Sequence, residues 1–143
     1  MIDLKQEALK EQAYLTAIRR EFHQYPELGL HEFRTAGRIE EELDHFGIFH
    51  TRVGETGVLG ILKGEKGAGS IVALRADIDA LPIQETHETE YRSTVSSVMH
   101  ACGHDAHTAC LLGAAKLLAA HRAELAGEVR LIFQPAEEIG QGA

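Results

Sequence analysis

The chain has 143 residues, 44% of them hydrophobic, and a formal net charge of −8. That is enough for one modest domain with a real core, and it excludes wholesale disorder. The acidic balance and scattered Lys and Arg argue against nucleic acid, whose phosphates need clustered cations, and no apolar run nears the roughly 18 residues of a membrane span.

The N-terminus, Met1-Ile2-Asp3-Leu4-Lys5-Gln6-Glu7, lacks the basic-then-apolar order of a signal peptide, so a cytoplasmic location is the default expectation. Residues 3–24 read as one amphipathic helix, with Leu4, Ala8, Leu9, Leu15, Ile18 and Phe22 at helical spacing and Pro26 ending it. A second helix is expected from Thr35 to Phe46, with Ala36, Ile39, Leu43 and Phe46 on one face and Gly47 as a left-handed cap. The period then shortens. Val58 to Leu62 reads as a strand, Gly64 to Gly69 as a turn, and Ser70 to Ala76 as a second strand apolar on both faces, which together suggest a hairpin. Residues 84–98 are polar and read as a loop over the site. Asp105 to about Leu125 forms a long helix ended by Gly127, and Val129 to Phe133 a third buried strand. Helices alternating with buried strands indicate an α/β fold, a three-layer α/β/α sandwich around a mixed sheet.

The polar residues cluster at three points. Asp77 and Asp79 follow one strand, Glu137 and Glu138 follow another, and the run Met99 to Thr108 precedes the long helix. Open α/β sheets bind ligands at strand carboxyl ends, and a helix N-terminus favours a thiolate or carboxylate. Cys102 and His104 are two residues apart, so an extended segment points both the same way, and a thiolate with an imidazole suits a divalent ion of borderline softness. The competing reading makes Cys102 a small buried hydrophobe and His104 a helix cap. Asp105 reads equally as an N-cap or as a partner orienting a histidine ligand. His100 and His107 are expected to support the site rather than to ligate. His45, His50, His87 and His121 sit in polar surroundings and are expected at the surface. Glu137 and Glu138 diverge in extended or turn backbone, so one can hold metal while the other faces water; the alternative is a solvated acidic turn. Asp77 and Asp79 either orient ligands or cap the next turn, and Arg75 is expected to pair with Asp77 or Glu85. Cys102 and Cys110 are not expected to form a disulfide.

These segments resemble the M20 metallopeptidase superfamily, in particular the amidohydrolases that cleave N-acyl amino acids, such as hippurate hydrolases and indole-acetyl-amino acid hydrolases. The matching stretches are Arg19-Arg20 through His23 to Pro26-Glu27-Leu28, Ala73 to Ile83, Met99 to Thr108, Leu111 to Ala115, and Ile132 to Glu138. The resemblance implies a zinc-peptidase-like catalytic domain with a two-ion site of manganese, zinc or nickel. It implies that Cys102, His104 and Glu138 are metal ligands and that Glu137 takes a proton from water and returns it to the leaving amine. It places Asp77 behind the ligands, as Asp105 also reads, and puts Arg75 where relatives with another ligand set carry a metal-binding histidine. Family members are more than twice this length. They add two histidine ligands from later segments and a smaller dimerisation domain bearing an oxyanion-stabilising histidine. Residues 1–143 are thus expected to be the N-terminal part of the catalytic domain, without the dimerisation domain or the rest of the catalytic domain. The expected partners are a small N-acyl amino acid and a second copy of the protein, with neither nucleic acid nor membrane. Two other readings stand beside this one: a non-catalytic remnant or interaction module with a vestigial metal site, and a thiol hydrolase using Cys102 with His104 or His107.

Overall fold

The computed structural model describes residues 3–142. Four helices and four strands follow in chain order: α1 (Leu4–Lys10), α2 (Gln12–Gln24), α3 (Phe33–His45), β1 (Phe49–Val53), β2 (Gly57–Lys63), β3 (Ile71–Asp77), α4 (His104–Ala120) and β4 (Glu128–Gln134). The strands form one mixed sheet in the order β1-β2-β4-β3. β2 is antiparallel to β1 and to β4, whereas β3 is parallel to β4. The mixed α/β architecture expected from the sequence is the one observed.

Three expectations of detail change. The first helix is broken: the Glu11 amide tightens onto the Ala8 carbonyl in a 3₁₀-type contact, separating α1 from α2. The long helix stops at Ala120, and a 3₁₀ turn at Arg122–Glu124 completes the connection. β2 and β3 form no hairpin, because β4 lies between them. The glycine-rich turn does not fold back on itself. It docks on the approach to β4: Gly64 N–H donates to the Gly127 carbonyl (2.9 Å), Gly127 N–H to Gly67 (3.0 Å) and Lys66 N–H to Leu125 (2.9 Å). The second helix is close to expectation, with Gly47 left-handed just past its end.

One core joins the helices to the sheet. Ile18 and Phe22 of α2, Ile39 and Leu43 of α3, and Leu112 of α4 pack with Val58, Leu62, Leu131 and Phe133. The β2–β4 register sets Val58 opposite Phe133 and Gly60 opposite Leu131, so alternate residues share the helix-covered face. On the other face Leu59, Ile61 and Ile132 are only half-buried. β3 is a sheet edge, and its Ile71 and Val72 are 60% and 50% exposed. An apolar edge with unpaired backbone groups templates strand pairing. The 143-residue chain should therefore self-associate at high concentration in light scattering, and Val72→Lys should suppress this; a monodisperse wild-type monomer would refute the expectation.

The parallel β3–β4 pair matters most for function. Asp77 lies opposite Gln134, so both strands deliver their carboxyl ends, and the acidic turns that follow, to the same sheet edge. No helix of the described residues is long and apolar enough to cross a membrane.

Candidate active site

The site assembles where those two strand ends meet the start of α4. Gly103 precedes α4 with φ +100°, a left-handed conformation that turns the chain from the bend at Cys102 into the helix. Cys102 therefore lies exposed just outside the helix, and His104 is its first residue, 3% exposed. Past β4, Glu137–Ile139 forms a 3₁₀ turn that brings the two glutamates alongside. Cys102, His104 and Glu138 offer ligand atoms that all lie within 4.8 Å of one another. Glu137 stands next to them, half-exposed, with Oε2 3.8 Å from His104 Nε2.

The expected ligand triad is thus gathered in space. Cys102 is not the buried hydrophobe of the competing reading, and Gly103 takes the cap position. An ion with bonds of about 2.0–2.3 Å needs only a small closing of this triangle. Glu138 Oε1 is buried and has no hydrogen-bond partner among the described residues, an arrangement that suits a carboxylate oxygen made to hold a cation. The Glu138 carboxylate beside it pushes the Cys102 thiol above its ordinary range. A nucleophilic thiolate needs the opposite shift, so the thiol-hydrolase reading loses support.

His104 is oriented by Asp79. Its Nδ1 lies 3.1 Å from Asp79 Oδ1 and 3.0 Å from the Asp79 carbonyl, with Glu138 Oε1 at 3.8 Å on the same side, while Nε2 faces Glu137 Oε2 at 3.8 Å. The other Asp79 oxygen accepts the Glu138 N–H at 2.9 Å. One carboxylate, 1% exposed, therefore fixes both a candidate ligand and the backbone of another. Asp77, expected in that supporting place, instead accepts two hydrogen bonds from Arg75 (2.6 and 3.0 Å), the pairing foreseen for that arginine. Asp77 also forms, with His104 and His107, a second group of possible ligand atoms within 4.8 Å. The two groups share His104.

Asp105 is the second residue of α4 and fully buried. It does not cap the helix. Its Oδ2 forms an ion pair with Arg19 Nε (2.7 Å) and faces His23 Nδ1 (2.8 Å). His23 Nε2 lies 3.1 Å from Glu85 Oε1, and the other Glu85 oxygen accepts the Ser93 N–H at 2.7 Å. Burial raises the Glu85 carboxyl, but the Ser93 amide and His23 outweigh it and hold it below its ordinary value. The 84–98 loop is thereby anchored on α2 through the histidine that also steadies the start of α4. The sequence reading gave Arg19, His23 and Glu85 no role in the site, and it named Asp79 only with Asp77 as a pair that orients ligands or caps the next turn. Arg19 and His23 stand one helical turn apart, the single signal that they work together.

His100 is buried, and both of its ring nitrogens are unpartnered among the described residues. Burial pushes its pKa down to about 4, with Asp105 pulling weakly the other way. The fold therefore keeps the ring neutral. As pH falls below about 6.5 the unfolded chain binds a proton that the fold refuses until about 4, so stability present above 6.5 is lost across that window. The loss should reach at most about 3 kcal/mol for the metal-free chain. Urea unfolding at pH 7 and pH 5 checks it: His100→Phe should flatten the difference, and an equal drop in that variant would remove His100 as the cause.

The chain is similar to known proteins. The profile of Peptidase family M20/M25/M40 matches residues 73–143, the segment with every candidate ligand. The chain is 53% identical over 131 residues to an IAA-amino acid hydrolase ILR1-like 5 of Arabidopsis thaliana, covering 91% of this chain and 30% of that one. It is 52% identical over 130 residues to an N-acetyl-L-cysteine deacetylase of Bacillus subtilis, covering 90% and 31%. Among solved structures it superposes, at TM-score 0.87 and 48% identity, on a dinuclear metal-binding peptidase of family M20 from Bacillus subtilis, covering 91% of this chain and 37% of that one. The chain spans about a third of the length of these relatives.

Proposed function

We propose that this chain, whose residues 73–143 belong to the M20/M25/M40 peptidase family, carries the metal-binding and proton-transfer part of an amidohydrolase acting on N-acyl amino acids. The observation that carries the reading is the convergence of Cys102, His104 and Glu138 within 4.8 Å with a further carboxylate, Glu137, beside them. Cys102, His104 and Glu138 would hold a divalent ion, manganese, zinc or nickel, as one of a pair. Such an ion polarises a carbonyl oxygen and acidifies water.

The protein's own groups account for the rest. Asp79 holds His104 by Nδ1 and so fixes which nitrogen faces the site. Asp79 also pins the Glu138 amide, which sets that carboxylate's direction. Glu137 is left with an exposed carboxylate that can accept a proton from water on one side of the amide and deliver it to the departing nitrogen. The substrate class is supported by the relatives' names, an N-acetyl-L-cysteine deacetylase and an IAA-amino acid hydrolase.

The test is release of free amino acid from a panel of N-acetyl amino acids with added manganese. Release that stops on chelation and returns with the metal is the expected result. Release that ignores a chelator would overturn the reading.

A further inference from the structure

The backbone carrying Glu137 and Glu138 is gripped from beneath by a residue that the proposed reaction does not use. We infer that Glu32 is a positioning residue for this turn: its buried carboxylate holds Ala136 in the left-handed conformation from which the two glutamates reach the site. The inference rests on the roles proposed above for Glu137 and Glu138.

Glu32 immediately precedes α3 and is 0% exposed. Its Oε1 accepts the Ala136 N–H at 2.8 Å, and its Oε2 accepts the Thr56 hydroxyl at 2.7 Å. A buried charge is costly unless its hydrogen-bonding capacity is met. Here the acceptance falls on the residue directly before Glu137. Ala136 itself has φ +54° and ψ +34°, a region that residues with a Cβ enter only when their surroundings hold them there. Gly29 closes the other side: a Cβ at that position would stand 3.1 Å from the Ala136 Cα. The same 27–32 segment reaches the β3 end, where the Ala80 N–H donates to the Glu27 carbonyl at 2.8 Å. It therefore braces both acidic turns. With Asp79 holding the Glu138 amide and Glu32 the Ala136 amide, the residue between them is Glu137, whose side chain faces outward.

If reach is what matters, Glu32→Gln should be tolerated, because the amide oxygen still accepts from Ala136 and the Thr56 hydroxyl can turn to accept. Glu32→Asp keeps the charge but is one methylene short. A role based on charge alone predicts the reverse order.

The experiment titrates the 143-residue chain with cobalt(II), reading the thiolate-to-cobalt absorption with Cys102→Ser as the blank. In parallel, hydrogen exchange of the Ala136 peptide is followed without metal. Glu32→Gln should stay within about threefold of wild type, and Glu32→Asp should lose about tenfold or more in cobalt affinity. Ala136 should be protected in wild type and Glu32→Gln and exchange faster in Glu32→Asp. Unchanged affinity and unchanged protection in a folded Glu32→Asp overturn the inference, as does an impaired Glu32→Gln beside an intact Glu32→Asp. If wild type shows no thiolate band, the metal reading fails, and the exchange contrast still decides Glu32. Should Glu32→Asp not fold, Gly29→Ala presses on Ala136 from the opposite side. Faster exchange there with weaker cobalt binding supports the inference, and no change in either overturns it.

Discussion

Asp79→Ala should lower the stability of the metal-free chain by about 2–5 kcal/mol and weaken divalent-metal binding at least about tenfold. The Asp79 carboxylate is almost wholly buried and serves two partners, His104 Nδ1 and the Glu138 N–H. Truncation leaves the Glu138 N–H without an acceptor, at about 1–3 kcal/mol, and takes the carboxylate from His104 Nδ1, which keeps only the Asp79 carbonyl, at about 1.5–3 kcal/mol. It also frees His104 to rotate and the Glu138 turn to shift, so two of the three candidate ligands lose their alignment together. Asp77→Ala is the natural control. That carboxylate pairs with Arg75, whose side chain is 53% exposed, and a solvated pair contributes only about 0–1 kcal/mol. Urea denaturation combined with calorimetric metal titration reads both effects. If Asp77→Ala costs more stability than Asp79→Ala, the assignment of the orienting role is wrong.

The two aspartates show how far the sequence could be read. An acidic pair after an apolar strand announced a site, and the parallel strands do deliver it to the predicted sheet edge. Which of the two faces His104 depends on where the strand ends. β3 runs through Asp77, where period-two alternation sets that side chain beside Arg75, its i−2 neighbour on the same face. Asp79 lies past the strand, in an irregular stretch where alternation no longer applies. Local pattern therefore located the cluster but could not choose within it.

The same limit explains the misread sheet. β1 is an edge strand of alternating exposure with sequence Phe-His-Thr-Arg-Val, and it lacks the apolar run that marked the other three strands. β2 and β3 looked like a hairpin because their glycine-rich link suits one. The partner that separates them, β4, is more than fifty residues further on, and only the hydrogen bonds from the link to residues 122–127 show why it intervenes. Arg19, His23 and Glu85 escaped for a related reason: each is unremarkable locally, and they acquire meaning when α2, α4 and the 84–98 loop meet around Asp105. Contacts between distant segments leave little trace in any one of them.

Glu137→Gln should reduce kcat for amide hydrolysis by about 10²–10⁴-fold, roughly 3–5 kcal/mol of transition-state stabilisation, in protein that retains full metal content. Gln keeps the volume and the hydrogen-bonding reach of the side chain but cannot accept and return a proton. The neighbouring position should behave in the opposite way. Glu138 has a buried oxygen without a hydrogen-bond partner among the described residues, beside Cys102 and His104, whereas Glu137 is half-exposed and stands at the rim of that cluster. Glu138→Gln should therefore lose metal first and activity as a consequence, with partial recovery at high manganese, and no metal concentration should rescue Glu137→Gln. The pair of variants turns adjacent, chemically identical residues into a test of geometry. Metal content by elemental analysis and kcat across a manganese series separate the two roles. Near-normal kcat in Glu137→Gln would mean that some other group moves the proton; rescue of Glu137→Gln by manganese would mean that the two glutamates have been assigned the wrong way round.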